Sequence, residues 1–319
     1  MCDICIFHLG THNVNKNVST QFLSHMGARF FTNRNCAVSV YYLKQKPFKR
    51  CAKMCTVLCG NQTTVYVVRE MEAPQLVKPT VSVGNVPQLT QDVLVVTLRA
   101  RRAGFLRSSC YVPLVGNNPY SEDGADADRL HVSTEVYVAP DKRVALVQIR
   151  SPIIKGRKKR ARREMLDWVE AGGFSRVVIL SSSFAHMRTD KQLVGPPYRF
   201  LLSPSLEATE RPVVEALGWT QLEPSEVIPG LGGPPELAIP GGGLSKGLFL
   251  DGSARGLPVA VLLAFCSEGD NIPDALALAD RLQQWLRLAD VAEGESTPRW
   301  KTPSSWKMLF GGEIPPSLF

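Results

Sequence analysis

Three turns rich in Gly, Asn and Pro follow strand-like apolar runs, and they limit the folds that this chain can adopt. The turns are residues 82–86 (SVGNV), 115–120 (VGNNPY) and 267–273 (SEGDNIP). In an α/β sheet, such turns connect strands to helices and surround the ligand site, because backbone amides converge at helix N-termini. No group of catalytic side chains accompanies the three turns in the sequence. We therefore expect an enzyme-like fold that lacks catalytic residues.

Strand-like and helix-like patterns alternate from about residue 73 onward. The predicted strands are one ending at residue 83 and then residues 105–115, 133–138, 143–149, 176–180 and 259–265. The predicted helices are residues 86–100, a helix ending at residues 172–173, and residues 273–288. Strands are assigned to apolar or β-branched runs, and helices to apolar residues that recur every three or four positions. This alternation predicts an α/β fold in which residues 133–149 form an antiparallel hairpin.

The composition allows a large buried core. The chain has 319 residues, and 44% of them are apolar. Its longest apolar run, residues 259–266, is far shorter than the roughly 20 residues that span a membrane. The N-terminal residues lack the basic segment and the long apolar segment of a secretory signal. We expect an intracellular protein with no membrane partner, in which Cys110 and Cys266 stay reduced within apolar segments.

Residues 1–72 differ from the rest of the chain. Residues 1–70 hold nine Lys and Arg side chains against two acidic ones, so +7 of the total charge of +8 lies there. The Cys-x2-Cys-x2-His-x3-His pattern at residues 2–12 lacks the dozen or so residues that separate the ligand pairs of a zinc finger, and no metal is expected. The cysteines within residues 51–59 have helical spacing, but their β-branched neighbours disfavour a helix. We predict a poorly ordered extension, or a segment translated from an upstream start that the working protein does not use.

Residues 155–163 (KGRKKRARR) include seven basic side chains. Such a run is typical of a nuclear import signal or a nucleic-acid site. Apolar side chains follow at helical spacing in residues 165–169, which favours the basic first turns of an amphipathic helix. No aromatic platform accompanies the run, so nucleic acid is not expected as a partner. A nuclear signal remains an open alternative.

Two segments have residue types that could carry catalysis. Residues 181–183 (SSS), His186 and Asp190 would supply a nucleophile, a base and an orienting acid, and residues 241–243 (GGG) before Lys246 could bind a phosphate. The strained G-x-S-x-G turn is absent from the first segment, and the second lacks the G-x-x-x-x-G-K-[ST] spacing. We interpret the serines as a loop that caps backbone amides and the glycines as positions of close chain packing.

Three acidic residues near the last predicted helix could be read as a metal or acid/base cluster. They are Glu268, Asp270 and Asp274. Their position at the start of a helix is explained by capping and by the helix dipole. We therefore expect no catalytic residue, no metal site and no cofactor in this chain.

Irregular motifs, taken in order, resemble the proteasome assembly chaperone 2 family. The motifs are TVSVGNVPQLTQDVL, YVPLVGNNPY, RVVILSSS, IPGGGLSKGL, FCSEGDNIPDAL, RWKTPSSWKMLFG and PPSLF. They extend from about Thr80 to Phe319, whereas residues 1–72 contain nothing similar. Lys78 also departs from the pattern, because it stands where the family's first strand would be apolar.

The resemblance implies a three-layer α/β/α sandwich with a mixed, mostly parallel sheet, similar to phosphorylase-like and hydrolase-like folds but used for binding. It divides the chain into the non-matching residues 1–72, an assembly-chaperone domain at residues 73–311 and a C-terminal docking tail at residues 312–319. The alternative is a phosphorylase-like or hydrolase-like enzyme that acts on a small nucleoside-type substrate.

The resemblance also implies specific partners. It implies a heterodimer with proteasome assembly chaperone 1 that binds α subunits of the 20S proteasome, promotes assembly of the α ring and prevents off-pathway α-ring association. Cytoplasm and nucleus are the implied locations, and neither nucleic acid nor a membrane is an implied partner.

The C-terminal residues give this implied role a physical basis. Pro315 and Pro316 favour an extended conformation, so Ser317, Leu318 and Phe319 would lose little entropy on docking. The resemblance supplies the receiving site, an apolar pocket between neighbouring α subunits, and Leu318 stands where the family's tail motif has tyrosine. The alternative is a frayed end or one packed onto its own domain.

Two tryptophans precede the tail. Trp300 and Trp306 flank a Pro/Ser turn and are possible interface anchors. The alternative that we favour is a clamp that holds this late segment on the domain core, because large aromatic side chains are mostly buried.

Overall fold

The computed structural model describes residues 74–121, 129–224, 236–295 and 297–308, together with four strands between residues 29 and 69. These strands are β1 (Arg29–Asn33), β2 (Cys36–Leu43), β3 (Ala52–Cys59) and β4 (Gln62–Arg69). They form an antiparallel sheet in the order β1-β2-β3-β4. Cys55 and Cys59 lie in β3, which confirms that their segment is not a helix. The Cys/His pattern at residues 2–12 lies outside the described residues, and an unused or poorly ordered extension stays a prediction.

The strands and helices of the main domain alternate along the chain. The strands are β5 (Gln75–Pro79), β6 (Arg101–Phe105), β7 (Val115–Gly116), β8 (His131–Val132), β9 (Thr134–Ala139), β10 (Val144–Ile149), β11 (Arg176–Phe184), β12 (Tyr198–Leu202) and β13 (Val259–Cys266). The helices are α1 (Val86–Thr97), α2 (Lys158–Gly172), α3 (Asp190–Leu193), α4 (Pro204–Ala216), α5 (Ser245–Ala254) and α6 (Ile272–Leu286). The predicted helices and the predicted hairpin of β9 and β10 are confirmed.

Seven strands form one mixed sheet in the order β12-β13-β11-β5-β10-β9-β6. The four inner strands β13, β11, β5 and β10 are parallel, whereas β12, β9 and β6 pair antiparallel at the two sides. The sheet confirms the predicted α/β class with a mixed sheet. A separate small ladder joins β7 to β8.

Helices cover both faces of the sheet, which gives three layers. Val177 and Ile179 of β11 face the layer of α2 and α5, and Val178 and Leu180 face the layer of α1, α4 and α6. Because β11 is buried on both faces, its apolar run has no polar alternation. Full burial of each large apolar side chain contributes about 1.5–3 kcal/mol to folding, so this two-sided core holds the strand ends in fixed positions.

The predicted strand over residues 105–115 is wrong. Only its two ends are in strands, β6 and β7. Between them the chain leaves the sheet and packs near the start of α2, where the Ile154 amide donates to the Cys110 carbonyl at 2.8 Å. The Ser108 hydroxyl donates to Glu164 of α2 at 2.7 Å. These partners lie more than forty positions away in the sequence, so local pattern could not indicate them.

The cysteines behave as the sequence predicts. Cys110 and Cys266 are buried and free. Burial raises the pKa of the Cys266 thiol to about 11, which keeps it neutral near pH 7. No helix in the described part of the chain is long and apolar enough to cross a membrane.

Candidate functional site

The carboxyl ends of β5, β11 and β13 form the crevice in which an α/β sheet would hold a ligand. In this protein the crevice is closed by hydrogen bonds within the chain. The Oγ atoms of Ser82 and Ser182 lie 2.7 Å apart, and the Ser182 amide donates to Ser82 Oγ at 3.1 Å. Ser182 Oγ donates to the Val83 carbonyl at 2.6 Å, so Ser82 is the donor between the two hydroxyls. These bonds fasten the turn at residues 82–85 to the end of β11.

The glycine loop at residues 241–243 packs into the same crevice. Gly243 has a φ of +63°, and a Cβ there would lie 2.2 Å from the carbonyl oxygen of Val81. Gly241 has a φ of +75°, and a Cβ there would lie 2.2 Å from the Val83 side chain. Side chains fit neither the backbone conformation nor the space at these positions, which confirms the predicted close packing.

Residues 181–183 continue β11, so their interpretation as a loop is wrong. The Ser183 hydroxyl donates to the Pro240 carbonyl at 2.7 Å, and the Ser181 hydroxyl approaches the Gly242 carbonyl at 3.5 Å. These carbonyls belong to the glycine-loop segment and replace water as partners. Because that segment satisfies the hydroxyls, polar residues can occupy a buried strand.

The three residue types of a hydrolytic triad are not assembled. The ring of His186 packs on Phe184, with ring centroids 5.0 Å apart. Asp190 begins α3. Within the described residues, no hydrogen bond connects His186 or Asp190 to the hydroxyls of residues 181–183. The serines therefore lack the base that would activate a nucleophile.

The acidic residues near α6 lie at the N-terminus of that helix. Asp270 accepts a hydrogen bond from the Ile272 amide at 3.1 Å, and Asp274 accepts one from the Asn271 side chain at 2.9 Å. Glu268 is exposed. Asp270 thus caps a backbone amide as predicted, whereas Asp274 lies in the first turn of α6 and bonds to the Asn271 side chain. In the described ranges, no group of three or more His, Cys, Asp or Glu side chains could hold a metal ion.

The segment that follows α6 packs back onto the domain. Trp300 is half-buried against the apolar layer of α1, α4 and α6, and its Nε1 donates to Asp280 at 2.7 Å. The Lys301 amide donates to the Thr97 hydroxyl at 2.9 Å. Trp300 therefore anchors the segment to the domain.

The same segment is held again further along. The Ser304 hydroxyl donates to the Pro119 carbonyl at 3.2 Å, and the Ser305 amide donates to the same carbonyl at 3.3 Å. Trp306 lies beside these contacts and is half-buried. The predicted docking tail, Ser317, Leu318 and Phe319, lies outside the described residues.

An exposed apolar surface, which we name the β7–β8 patch, lies on and around β6, β7 and β8. Its members are Phe105, Val112, Leu114, Val115 and Leu130. Val115 is 66% exposed and Leu130 is 59% exposed. Isolated exposed apolar residues are ordinary, but several in one region are typical of a protein-binding surface. The local pattern predicted a strand over residues 105–115 and therefore gave no indication of this patch.

A second exposed apolar group is held by a buried arginine. Met187, Leu193 and Val194 are exposed on the loop after β11. The guanidinium of Arg199 is buried, donates to the Pro196 carbonyl at 2.9 Å and pairs with Glu223 at 3.0 Å. The loop carrying these apolar side chains is thus tied to β12.

A buried network of polar side chains joins β6, β8 and β9 beside the β7–β8 patch. His131 Nδ1 lies 2.6 Å from Glu135 Oε2, and the Tyr137 hydroxyl donates to the same oxygen at 2.7 Å. Arg102 donates to the other Glu135 oxygen at 2.9 Å. Burial lowers the pKa of His131, although Glu135 opposes that shift. Burial also raises the pKa of Tyr137 above its usual range.

The network has a second carboxylate beside the first. Asp92 of α1 accepts hydrogen bonds from Arg150 at 2.8 Å and from Gln148 at 2.6 Å. The Tyr120 hydroxyl also donates to Asp92, and its ring packs edge-on against Tyr137 at 5.7 Å. Each carboxylate is paired with an arginine, so the cluster fixes the segment around Tyr120 to the sheet.

Lys78 is the most unusual residue of the central sheet. Its side chain is 1% exposed, and its Nζ donates to the Pro79 carbonyl at 3.1 Å. Burial lowers the pKa of Lys78 to about 7. No carboxylate within the described residues forms an ion pair with it, so nothing there offsets the cost of burying the charged form.

Comparisons with known proteins agree with this fold. The PAC2 family model matches residues 76–292. A protein of Danio rerio named proteasome assembly chaperone 2 is 47% identical over 245 residues, covering 76% of this chain and 94% of that protein. The Homo sapiens protein of the same name is 41% identical over 248 residues, again covering 76% of this chain and 94% of its own length.

A solved structure shares the fold at low sequence identity. Pyrococcus furiosus PbaA, described as an archaeal homolog of proteasome-assembly chaperone, superposes with a TM-score of 0.51 at 18% identity. The match covers 71% of this chain and 87% of PbaA. The resemblance read from the sequence motifs is thereby confirmed, and the chain belongs to the PAC2 family.

Proposed function

We propose that this chain is a non-catalytic chaperone subunit for proteasome assembly. The observation that carries the proposal is that Ser82, Ser182 and the glycine loop bond and pack within the fold at the strand ends, where an α/β enzyme would bind its substrate. The names of its relatives support the same role. A fold that many enzymes share can also serve to bind other proteins through its outer surface.

The proposed partners are proteasome assembly chaperone 1 and α subunits of the 20S proteasome. The chain would form a heterodimer with the first and hold the second while the α ring closes, which prevents off-pathway ring association. The β7–β8 patch supports a polypeptide partner because its apolar side chains are exposed on a segment that a buried network holds in place. Apolar side chains that are already ordered lose little conformational entropy on binding, which favours tight association.

The C-terminal tail would provide the contact with α subunits. The anchoring of Trp300 and of residues 304–305 on the domain means that the chain departs from a fixed point before the tail begins. Pro315 and Pro316 then favour an extended path. Leu318 and Phe319 suit an apolar pocket.

The proposed locations are the cytoplasm and the nucleus. A fluorescent fusion of the full chain, imaged in cells with and without changes in residues 155–163, tests this point. Signal in both compartments supports the proposal, and complete exclusion from either compartment contradicts it.

A reconstitution experiment tests the proposed activity. The chain is co-expressed with proteasome assembly chaperone 1 and then mixed with purified α subunits. We expect one heterodimer peak on size-exclusion chromatography and faster formation of seven-membered α rings in its presence. A chain that stays monomeric beside the partner, or rings that form at an unchanged rate, contradicts the proposal.

A further inference from the structure

The first turns of α2 and Lys155, which precedes them, carry exposed cations without acidic partners. Lys155, Lys158, Lys159 and Arg163 are exposed, and among the described residues none of them forms an ion pair. Neighbouring arginines do have partners, since Arg160 pairs with Glu164 and Arg162 pairs with Asp251, both at 2.7 Å. We name the four unpaired residues the α2 cation group.

This charge arrangement opposes the helix that holds it. Cations in a first helical turn face the positive end of the helix dipole, and no acidic residue is present in the first turn of α2. Lys159 and Arg163 are also four positions apart, where like charges repel each other on a helix. Residues that destabilise the helix in which they lie are expected at functional positions. Ordinary helix stability therefore does not explain the cation group.

The group stands on a rigid support. Ala161, Met165 and Leu166 of α2 are buried against the sheet. Arg162 and Asp251 join α2 to α5, and Arg255 adds a second ion pair with Asp167 at 2.7 Å. Cations on a rigidly held helix lose little conformational entropy when an anion binds.

The spacing of the cations fits an extended acidic chain. Residues four apart on a helix are separated by about 6 Å along its axis. Alternate side chains of an extended chain lie on the same side, about 6.6–6.8 Å apart. The aromatic residues of this region, Trp168 and Phe174, are buried and stack on each other at 5.4 Å. They offer no exposed platform for the bases of a single-stranded nucleic acid.

We propose that the α2 cation group is a docking site for an acidic segment of a polypeptide partner. The site uses none of the residues of the C-terminal tail or of the β7–β8 patch, and it does not depend on the chaperone role. Binding would be electrostatic, so salt would weaken it.

The test uses the full chain and a fluorescein-labelled peptide of alternating Glu and Ser, read by fluorescence anisotropy. One variant changes the group together, as Lys155→Gln, Lys158→Gln, Lys159→Gln and Arg163→Gln. The matched control removes four exposed cations elsewhere, as Arg101→Gln, Arg107→Gln, Lys301→Gln and Lys307→Gln. A peptide with Gln in place of Glu controls for uncharged contacts.

We expect the first variant to raise the Kd for the acidic peptide about tenfold or more, since each exposed ion pair contributes modestly. We expect the control variant to bind almost as tightly as the unchanged protein. Because the cations oppose the helix dipole, the first variant should melt at the same or a higher temperature. Equal loss of binding in both variants overturns the proposal.

A second arm separates polypeptide from nucleic acid. Labelled single-stranded and duplex oligonucleotides with the same number of charges as the peptide are titrated under the same salt conditions. Weaker binding to both oligonucleotides than to the peptide supports the proposal. Tighter binding to either oligonucleotide, with the loss confined to the first variant, overturns it in favour of a nucleic-acid site.

Discussion

Ser82 and Ser182 lie 100 residues apart in the chain, and their hydroxyl oxygens lie 2.7 Å apart. The bond joins the turn after β5 to the carboxyl end of β11, where an α/β enzyme would bind its substrate. Each hydroxyl is committed to a partner within the fold, and Ser182 is completely buried. The polar groups of this crevice therefore stabilise the domain.

Replacing Gly243 by alanine should destabilise the protein strongly. The new Cβ would lie 2.2 Å from the Val81 carbonyl oxygen, and the residue has a φ of +63°. Strain of this kind costs about 1–3 kcal/mol, and the clash adds to it. Urea unfolding of Gly243→Ala measures the loss.

Gly256→Ala is the matched control for this change. Gly256 has a φ of +72°, but a Cβ there meets nothing within 4 Å. It should lose only about 1 kcal/mol from backbone conformation. An equal loss in both variants would mean that the glycine loop is not closely packed.

Replacing Lys78 by methionine should stabilise the protein, and more at pH 7 than at pH 9. The pKa of Lys78 is about 7 in the folded protein and near its ordinary value of 10.5 in the unfolded chain. Between these values the unfolded chain binds the extra proton, so the stability of the unchanged protein rises with pH by up to about 1.4 kcal/mol per unit. Lys78→Met removes this pH dependence of the free energy of unfolding. Urea unfolding at both pH values measures the difference.

The control for this experiment is Lys301→Met, at an exposed position. It should leave the pH dependence of the free energy of unfolding unchanged. A constant difference between Lys78→Met and the unchanged protein across this pH range contradicts the lowered pKa.

Charged residues in the β7–β8 patch should weaken the complex with the partner chaperone without unfolding the chain. Val115→Glu and Leu130→Glu place two carboxylates at positions that are 66% and 59% exposed. Burying them in an interface would cost at least about 3 kcal/mol, which corresponds to a Kd more than a hundredfold higher. Isothermal titration calorimetry with the partner measures the change.

Val291→Glu is the control, because Val291 is also exposed but lies after α6. It should leave the Kd unchanged. If the two patch changes leave the affinity intact, the patch is not part of that interface.

Deleting Leu318 and Phe319 should reduce capture of α subunits and leave the heterodimer intact. The deletion removes the two apolar anchors, while the contacts of Trp300 and Ser304 stay in place. A pull-down of α subunits by the truncated heterodimer measures the effect. Capture at the level of the full chain would reject this role of the tail.

Periodic apolar patterns were sufficient to predict α1, α2 and α6 and the strands β9, β10, β11 and β13, but not β12 or α4. The unbroken run of β11 and the helical spacing of α6 each reflect burial against their neighbours, so their positions could be read from the residues. The capping role of Asp270 was also predictable, since it depends on an amide close in the sequence.

Features that depend on distant partners could not be predicted. The buried carboxylate of Asp92 is satisfied by Arg150, 58 residues later, and Ser183 by Pro240, 57 residues later. Without those partners, local polarity indicates a loop for residues 181–183 and gives no reason to bury Asp92. The β7–β8 patch was missed for the same reason, because its segment leaves the sheet through contacts with α2.

The most direct test is to purify the tagged chain from cells under native conditions and to identify the co-purifying proteins by mass spectrometry. We predict proteasome assembly chaperone 1 in equal amount, together with α subunits of the 20S proteasome. A protein that purifies alone and converts a nucleoside-type substrate would contradict the account.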